Sequence, residues 1–175
     1  MFRKLSIAAA LAAASVGVAF AQPAAAPPND AQIAHIAYTA GVIDIAAANQ
    51  ALQKSTNPQV RAFAEEMVRD HKAVNDKALA LVQQLHVTPQ DNPTSQALTA
   101  AANQKLAADA SLTGHAYDVA YVENEVAYHK TVNGALASTL IPDAQNAQLK
   151  ALLQTGLKLF QMHQAHAEQL AASLK

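Results

Sequence analysis

The sequence predicts an all-α fold: four long helices, with a short extra helix in the connection between the second and third. Three observations predict it. Alanine supplies 43 of the 175 residues and glycine only five, a balance that favours helix over strand. β-Branched and aromatic residues do not alternate in runs, which argues against sheets. Apolar positions instead recur in steps of three and four over long stretches, the spacing of one buried helical stripe. There is no cysteine, so disulfides, thiolate zinc sites, cysteine-held iron–sulfur clusters and thiol catalysis are excluded. The 12 Lys+Arg and 13 Asp+Glu nearly cancel, which gives no basic surface for nucleic acid.

Residues 1–21 carry the pattern of a cleaved export signal. Arg3 and Lys4 precede an apolar, alanine-rich stretch, and Ala19-Phe20-Ala21 places small residues where a signal peptidase needs them, so cleavage is expected before Gln22. The stretch is short and weakly hydrophobic for a permanent anchor. Loss of Arg3 and Lys4 leaves 10 Lys+Arg against 13 Asp+Glu, a formal charge of −3. No later stretch reads as apolar enough to span a bilayer, so the mature chain is expected in the periplasm, not spanning a membrane, with association at the outer membrane left open. Residues 22–29, with three prolines, read as a tether that packs against nothing.

Residues 30–175 form the expected helical domain. Asp30 is placed to cap a first helix ending near Lys54. Asn57-Pro58 is a cap followed by proline at the first helical position, and opens a second helix that runs to about His86. Residues 87–93 hold two prolines and connect to a short helix over 94–108, which residues 111–114 break. A long helix over 115–140 ends at the Pro142-Asp143 corner, and the last helix runs to about Leu174.

Heptad steps mark the buried stripes. The second helix offers Val60, Ala64, Met67, His71, Val74, Ala78, Leu81 and Leu85. The third long helix offers Val119, Val122, Val126, His129, Asn133, Leu136 and Leu140, and the last offers Leu149, Leu153, Gly156, Phe160, His163, Ala167, Leu170 and Leu174. The first is looser, with Ile33, Ile36, Ala40, Ile43 and Ala47. Tight corners join helices one to two and three to four. The long connection between them suits a crossover along the bundle, the order of a ferritin-like fold.

His71, His129 and His163 occupy stripe positions on three different helices. Seven histidines would place about two there by chance, so the accompanying carboxylates matter more than the number. Asp44 lies beside the first stripe and Glu125 one turn before His129. Counted from the corners, Asp44 is level with His71, and Glu125 with His163. Asp44, His71, Glu125, His129 and His163 are therefore the candidate metal ligands, suited to Fe, Mn or Zn. The competing reading is a hydrogen-bonded polar layer that fixes helix register and holds no cofactor. The Glu-x-x-His motif of di-iron bundles is absent: Val68, Val126 and Phe160 stand three residues before the three histidines. His35, His86, His115 and His166 read as surface or capping residues. No phosphate loop or nucleophile elbow is present, so no catalytic residue is assigned.

The segments Val60-Arg61-Ala62-Phe63-Ala64 and Met67-Val68-Arg69-Asp70-His71, with Tyr117-Asp118, Tyr121-Val122, His129 and His163, resemble the domain of unknown function 4142 family over about residues 30–173. That resemblance implies an exported bacterial protein with a ferritin-like bundle, of a kind often labelled predicted outer membrane protein. Asp44 stands where such proteins commonly carry Glu. A barrel is not implied, because alternating strands are missing. The expectation is a non-enzymatic binding or stress-related envelope protein, with a protein partner in the envelope or a second copy of itself; metal binding by the His/carboxylate cluster is the alternative.

Overall fold

A computed structural model describes residues 26–175, and all their regular structure is helical. The leader, residues 1–21, and residues 22–25 of the tether lie outside that range. The helices are α1 (Asp30–Lys54), α2 (Pro58–Gln84), α3 (Pro93–Ala110), α4 (Gly114–Ala135), a single turn α5 (Ile141–Asp143) and α6 (Ala147–Ser173), with a π-helical turn at Leu136–Leu140.

The first helix starts one residue earlier than expected. Asn29 is its cap, in a reciprocal box with Gln32. Asp30 instead accepts the backbone N–H groups of Gln145 and Asn146 at 2.8 and 2.9 Å, tying α1 to the start of α6. Asn57 caps α2 with Pro58 behind it, as its sequence requires. That helix ends at Gln84, two residues short of His86, because His86 takes a positive φ of 53°. The continuous helix expected over 115–140 divides near its end. Pro142 has no N–H to give the ladder, and the Ile141 N–H bonds five residues back to the Leu136 carbonyl.

Packing brings α1 against α2 and α4 against α6, with α2 also touching α6. Asp44 faces His71 and Gly41 faces Asn75, so α1 and α2 run in opposite directions. A Cβ on Gly41 would strike the Asn75 amide, so the missing side chain lets these helices approach closely. The crossover helix α3 runs alongside α1 in the same direction: His35 meets Ser95, Gln50 bonds to the Leu106 carbonyl and Lys54 to that of Ala110.

The stripe of α6 is buried at every expected position from Leu149 to Leu174. In α2 the stripe drifts after His71: Asn75 and Val82 are buried, while Val74 and Leu81 are only half-buried. A straight helix turns every 3.6 residues and slides off a strict seven-residue repeat. The tether is also not free of the domain, since Ala26 and Pro28 line a cavity of about 440 Å³ between the helices. Helix α1 is, against expectation, long and apolar enough by length and composition alone to cross a membrane. Its alanines and isoleucines account for that, and Ile33, Ile36, Ala48 and Ala51 are buried in the core.

Candidate metal centre

On each of four helices the polar stripe residue lies between two apolar groups. Phe63, Met67, Tyr121 and Leu170 belong to one core cluster, and Ile33, Leu136, Leu149 and Phe160 to the other. Asp44 on α1, His71 on α2, Glu125 and His129 on α4, and His163 on α6 fill the level between them, all buried. The structure thus brings all five predicted residues together.

Their distances are short but mostly not those of hydrogen bonds. His71 Nε2 and His129 Nε2 approach the same oxygen, Asp44 Oδ2, at 3.4 and 3.6 Å. His129 Nδ1 lies 3.4 Å from Glu125 Oε2 and 3.0 Å from the Glu125 carbonyl oxygen. That last contact makes Nδ1 the donor, so Nε2 carries the lone pair that faces Asp44. His163 Nε2 donates to Asp70 Oδ2 at 3.1 Å, which leaves its Nδ1 lone pair buried and unpartnered. The histidines His71, His129 and His163 bring ring nitrogens within 4.8 Å of one another, and Asp44, Glu125 and His129 form a second triad of that kind through the shared His129. His71 is held by stacking: its ring lies 4.6 Å from that of Phe160 and nearly parallel to it.

Burial sets the electrostatics. Desolvation, and then the neighbouring Glu125, raise the Asp44 carboxyl well above its usual range. Burial pushes Glu125 up to about 8, against a smaller lowering by the neighbouring Asp44 carboxyl. His71 falls to about 2, first through burial and then through His129 and His163. His163 is also lowered by burial, which outweighs the hydrogen bond it donates to Asp70. All four shifts favour uncharged groups in a site with no cation.

Eleven buried side-chain atoms lack a hydrogen-bond partner among the described residues, and eight of them belong to these five side chains. An unsatisfied buried polar atom costs about 1–3 kcal/mol, so a layer kept for register alone would be expected to pair its members. Two atoms bound to one ion at about 2.0–2.1 Å stand roughly 3.0–3.5 Å apart. The contacts of His71 Nε2 and His129 Nε2 to Asp44 Oδ2 fall at or close to that spacing. Three imidazoles and two carboxylates suit Fe, Mn or Zn.

Sequence reasoning noted Asp70 only as a neighbour of His71, and it missed Glu66. Asp70 turns away from His71 to orient His163 across the α2–α6 seam, and Arg69 binds its other oxygen at 2.8 Å. Glu66 accepts from His166 Nδ1 at 2.8 Å, so His166 is not merely a solvated surface residue. The four-residue spacing of Glu66 and Asp70 puts both on one face of α2; what that face meets is a matter of packing. Of the remaining histidines, His35 contacts Ser95 at 3.0 Å, while His86 and His115 are exposed. Tyr121 is buried with its hydroxyl unpartnered, a further polar group near Glu125.

The sequence segments that carry these side chains, Met67 to His71 and Tyr117 to His129 among them, fall within residues 16–170, which match the family described as domain of unknown function (DUF4142). The chain belongs to that family. No curated protein and no solved structure matches it. Membership in DUF4142 covers all five clustered residues and both carboxylates of the α2–α6 seam, and it carries no activity with it.

Proposed function

We propose that the chain is an exported, ferritin-like four-helix-bundle protein that binds a transition-metal ion, Fe, Mn or Zn, in the core of the bundle. Asp44, His71, Glu125, His129 and His163 are the ligand set. One observation carries this reading: four helices gather five buried ligand-type side chains whose lone pairs have no other partner. The groups behind the ligands support it. A backbone carbonyl orients His129 and a carboxylate orients His163, the arrangement by which protein sites fix the tautomer of a ligating imidazole. The set differs from a Glu-x-x-His di-iron centre, being richer in nitrogen, and it suits a non-enzymatic role in holding the ion. Export rests on the signal-like leader, and places that role in the periplasm.

Melting of the metal-free protein with and without added ion tests the reading. A ligand that binds only the folded state, at a hundredfold excess over Kd, stabilises it by about 2.7 kcal/mol, roughly 5–10 °C for a domain of this size. Zinc, manganese or ferrous ion should give a rise of that order in the parent and none in His129→Ala. If the layer is only structural, no metal will move the parent's melt, and His129→Ala will destabilise the metal-free protein by leaving Asp44 and Glu125 further unpaired.

A further inference from the structure

The five ligands are sealed: their side chains are between 0 and 4% exposed. An ion must therefore cross the shell of the bundle to reach them. At one place the shell is built of ligand-type groups. Along the α2–α6 seam, exposure falls from 47% at His166 to 30% at Glu66, 17% at Asp70 and 1% at His163. The members form two contacting pairs. His166 Nδ1 meets Glu66 Oε2 at 2.8 Å and Asp70 Oδ2 meets His163 Nε2 at 3.1 Å. Glu66, Asp70 and His163 offer ligand atoms that all lie within 4.8 Å of one another. His163 belongs to both sides, with Nε2 toward the carboxylates and a buried, unpartnered Nδ1 left over.

We infer that Glu66, Asp70 and His166 form a capture site for divalent transition-metal ions at the α2–α6 seam, which feeds the buried centre through His163; this rests on the metal-binding reading above. The chemistry of each step is the same as at the centre, carboxylate oxygen and imidazole nitrogen, so a partly dehydrated ion exchanges one such ligand for the next. The two carboxylates also attract the cation from solution. Arg69 holds the Asp70 Oδ1 edge and leaves Oδ2 on the His163 side. Because Glu66 and His166 are partly exposed and are not ligands of the centre, removing them should slow entry and leave the final complex intact.

The test is stopped-flow uptake of cobalt(II) by the full-length mature protein, read by the visible absorption of the bound ion, for the parent, Glu66→Gln and His166→Ala. Carboxylates at the mouth of a site raise the rate of cation association by about tenfold or more, so Glu66→Gln should load about tenfold slower. His166→Ala, which removes a ligand atom and no negative charge, should load more slowly than the parent by a smaller factor. Each variant's final absorption, stoichiometry and metal-free melting temperature should equal the parent's. Variants that load at the parent's rate would overturn the capture site and leave the buried centre standing. A parent that takes up no cobalt, zinc, manganese or ferrous ion at all would overturn the metal reading itself, and the capture site with it.

Discussion

At His129 one backbone contact decides the chemistry: the Glu125 carbonyl accepts from Nδ1 at 3.0 Å and leaves Nε2 bare beside Asp44. At His71 no hydrogen bond plays that part, and the stacked Phe160 ring holds the imidazole instead. These buried groups make the metal-free protein sensitive to pH from both sides. His71 titrates near 2 in the fold against 6.5 in the open chain. Below pH 6.5 the unfolded state therefore binds more protons, and acid destabilises the fold. Glu125 has the opposite sign. Its carboxyl is raised from 4.5 to about 8, so the fold retains a proton that the unfolded chain has released, and stability is lost as pH rises between those values. The lowered His163 and the raised Asp44 act in the same two directions. The metal-free melting temperature should peak between about pH 4.5 and 6.5, and bound metal, which needs neutral imidazole and ionised carboxylate, should move the optimum to higher pH. A metal-free melting temperature that does not vary from pH 4 to 8 would contradict the buried geometry.

At the scale of the helix, α2 and α6 separate what periodicity can and cannot tell. Phe63 and Leu153 are buried while Leu81 is half-buried. Phe63→Ala should cost about 3–5 kcal/mol and Leu153→Ala about 2–4 kcal/mol. Leu81→Ala should cost only about 1 kcal/mol, since less apolar surface is lost. Chemical denaturation would check the order, and equal losses at Leu81 and Leu153 would mean the strict heptad holds throughout α2. The cap at Asn57, the Pro142 corner and the whole stripe of α6 were legible because each is a local rule. Convergence on one level was legible in outline, because counting from tight corners set Asp44 level with His71. The same counting set Glu125 level with His163 and His129 about a turn away, whereas the structure brings His129 to His163. The drift after His71 was not legible, since it depends on whether the helix supercoils or runs straight. Nor was the seam of Glu66, Asp70, His163 and His166: which face of α2 meets α6 is set by packing, and nothing in either helix's own sequence names its neighbour. The π turn at Leu136–Leu140 arises from Pro142 acting back on the previous turn, where the expected reading was an unbroken helix.

Across the whole molecule, a polar level divides one core into two apolar clusters, with Phe63 and Met67 on one side and Ile33 and Leu149 on the other. Small alanines at Ala48, Ala51, Ala64 and Ala167 let the helices approach closely, each burying little area of its own. An ion held at that level would join α1, α2, α4 and α6 through side chains, coupling metal binding to the stability of the entire bundle. The crossover helix α3 lies outside this set and supplies none of the five ligands. The most direct measurement is the metal content of the purified protein, stripped with chelator, incubated with zinc, iron and manganese in turn, freed of unbound ion and analysed for its elements. A metal centre at this level requires stoichiometric retention of at least one of these metals by the parent, and its loss in a variant carrying both His71→Ala and His129→Ala that still shows the parent's helical circular dichroism. Retention of none by the folded parent would contradict it.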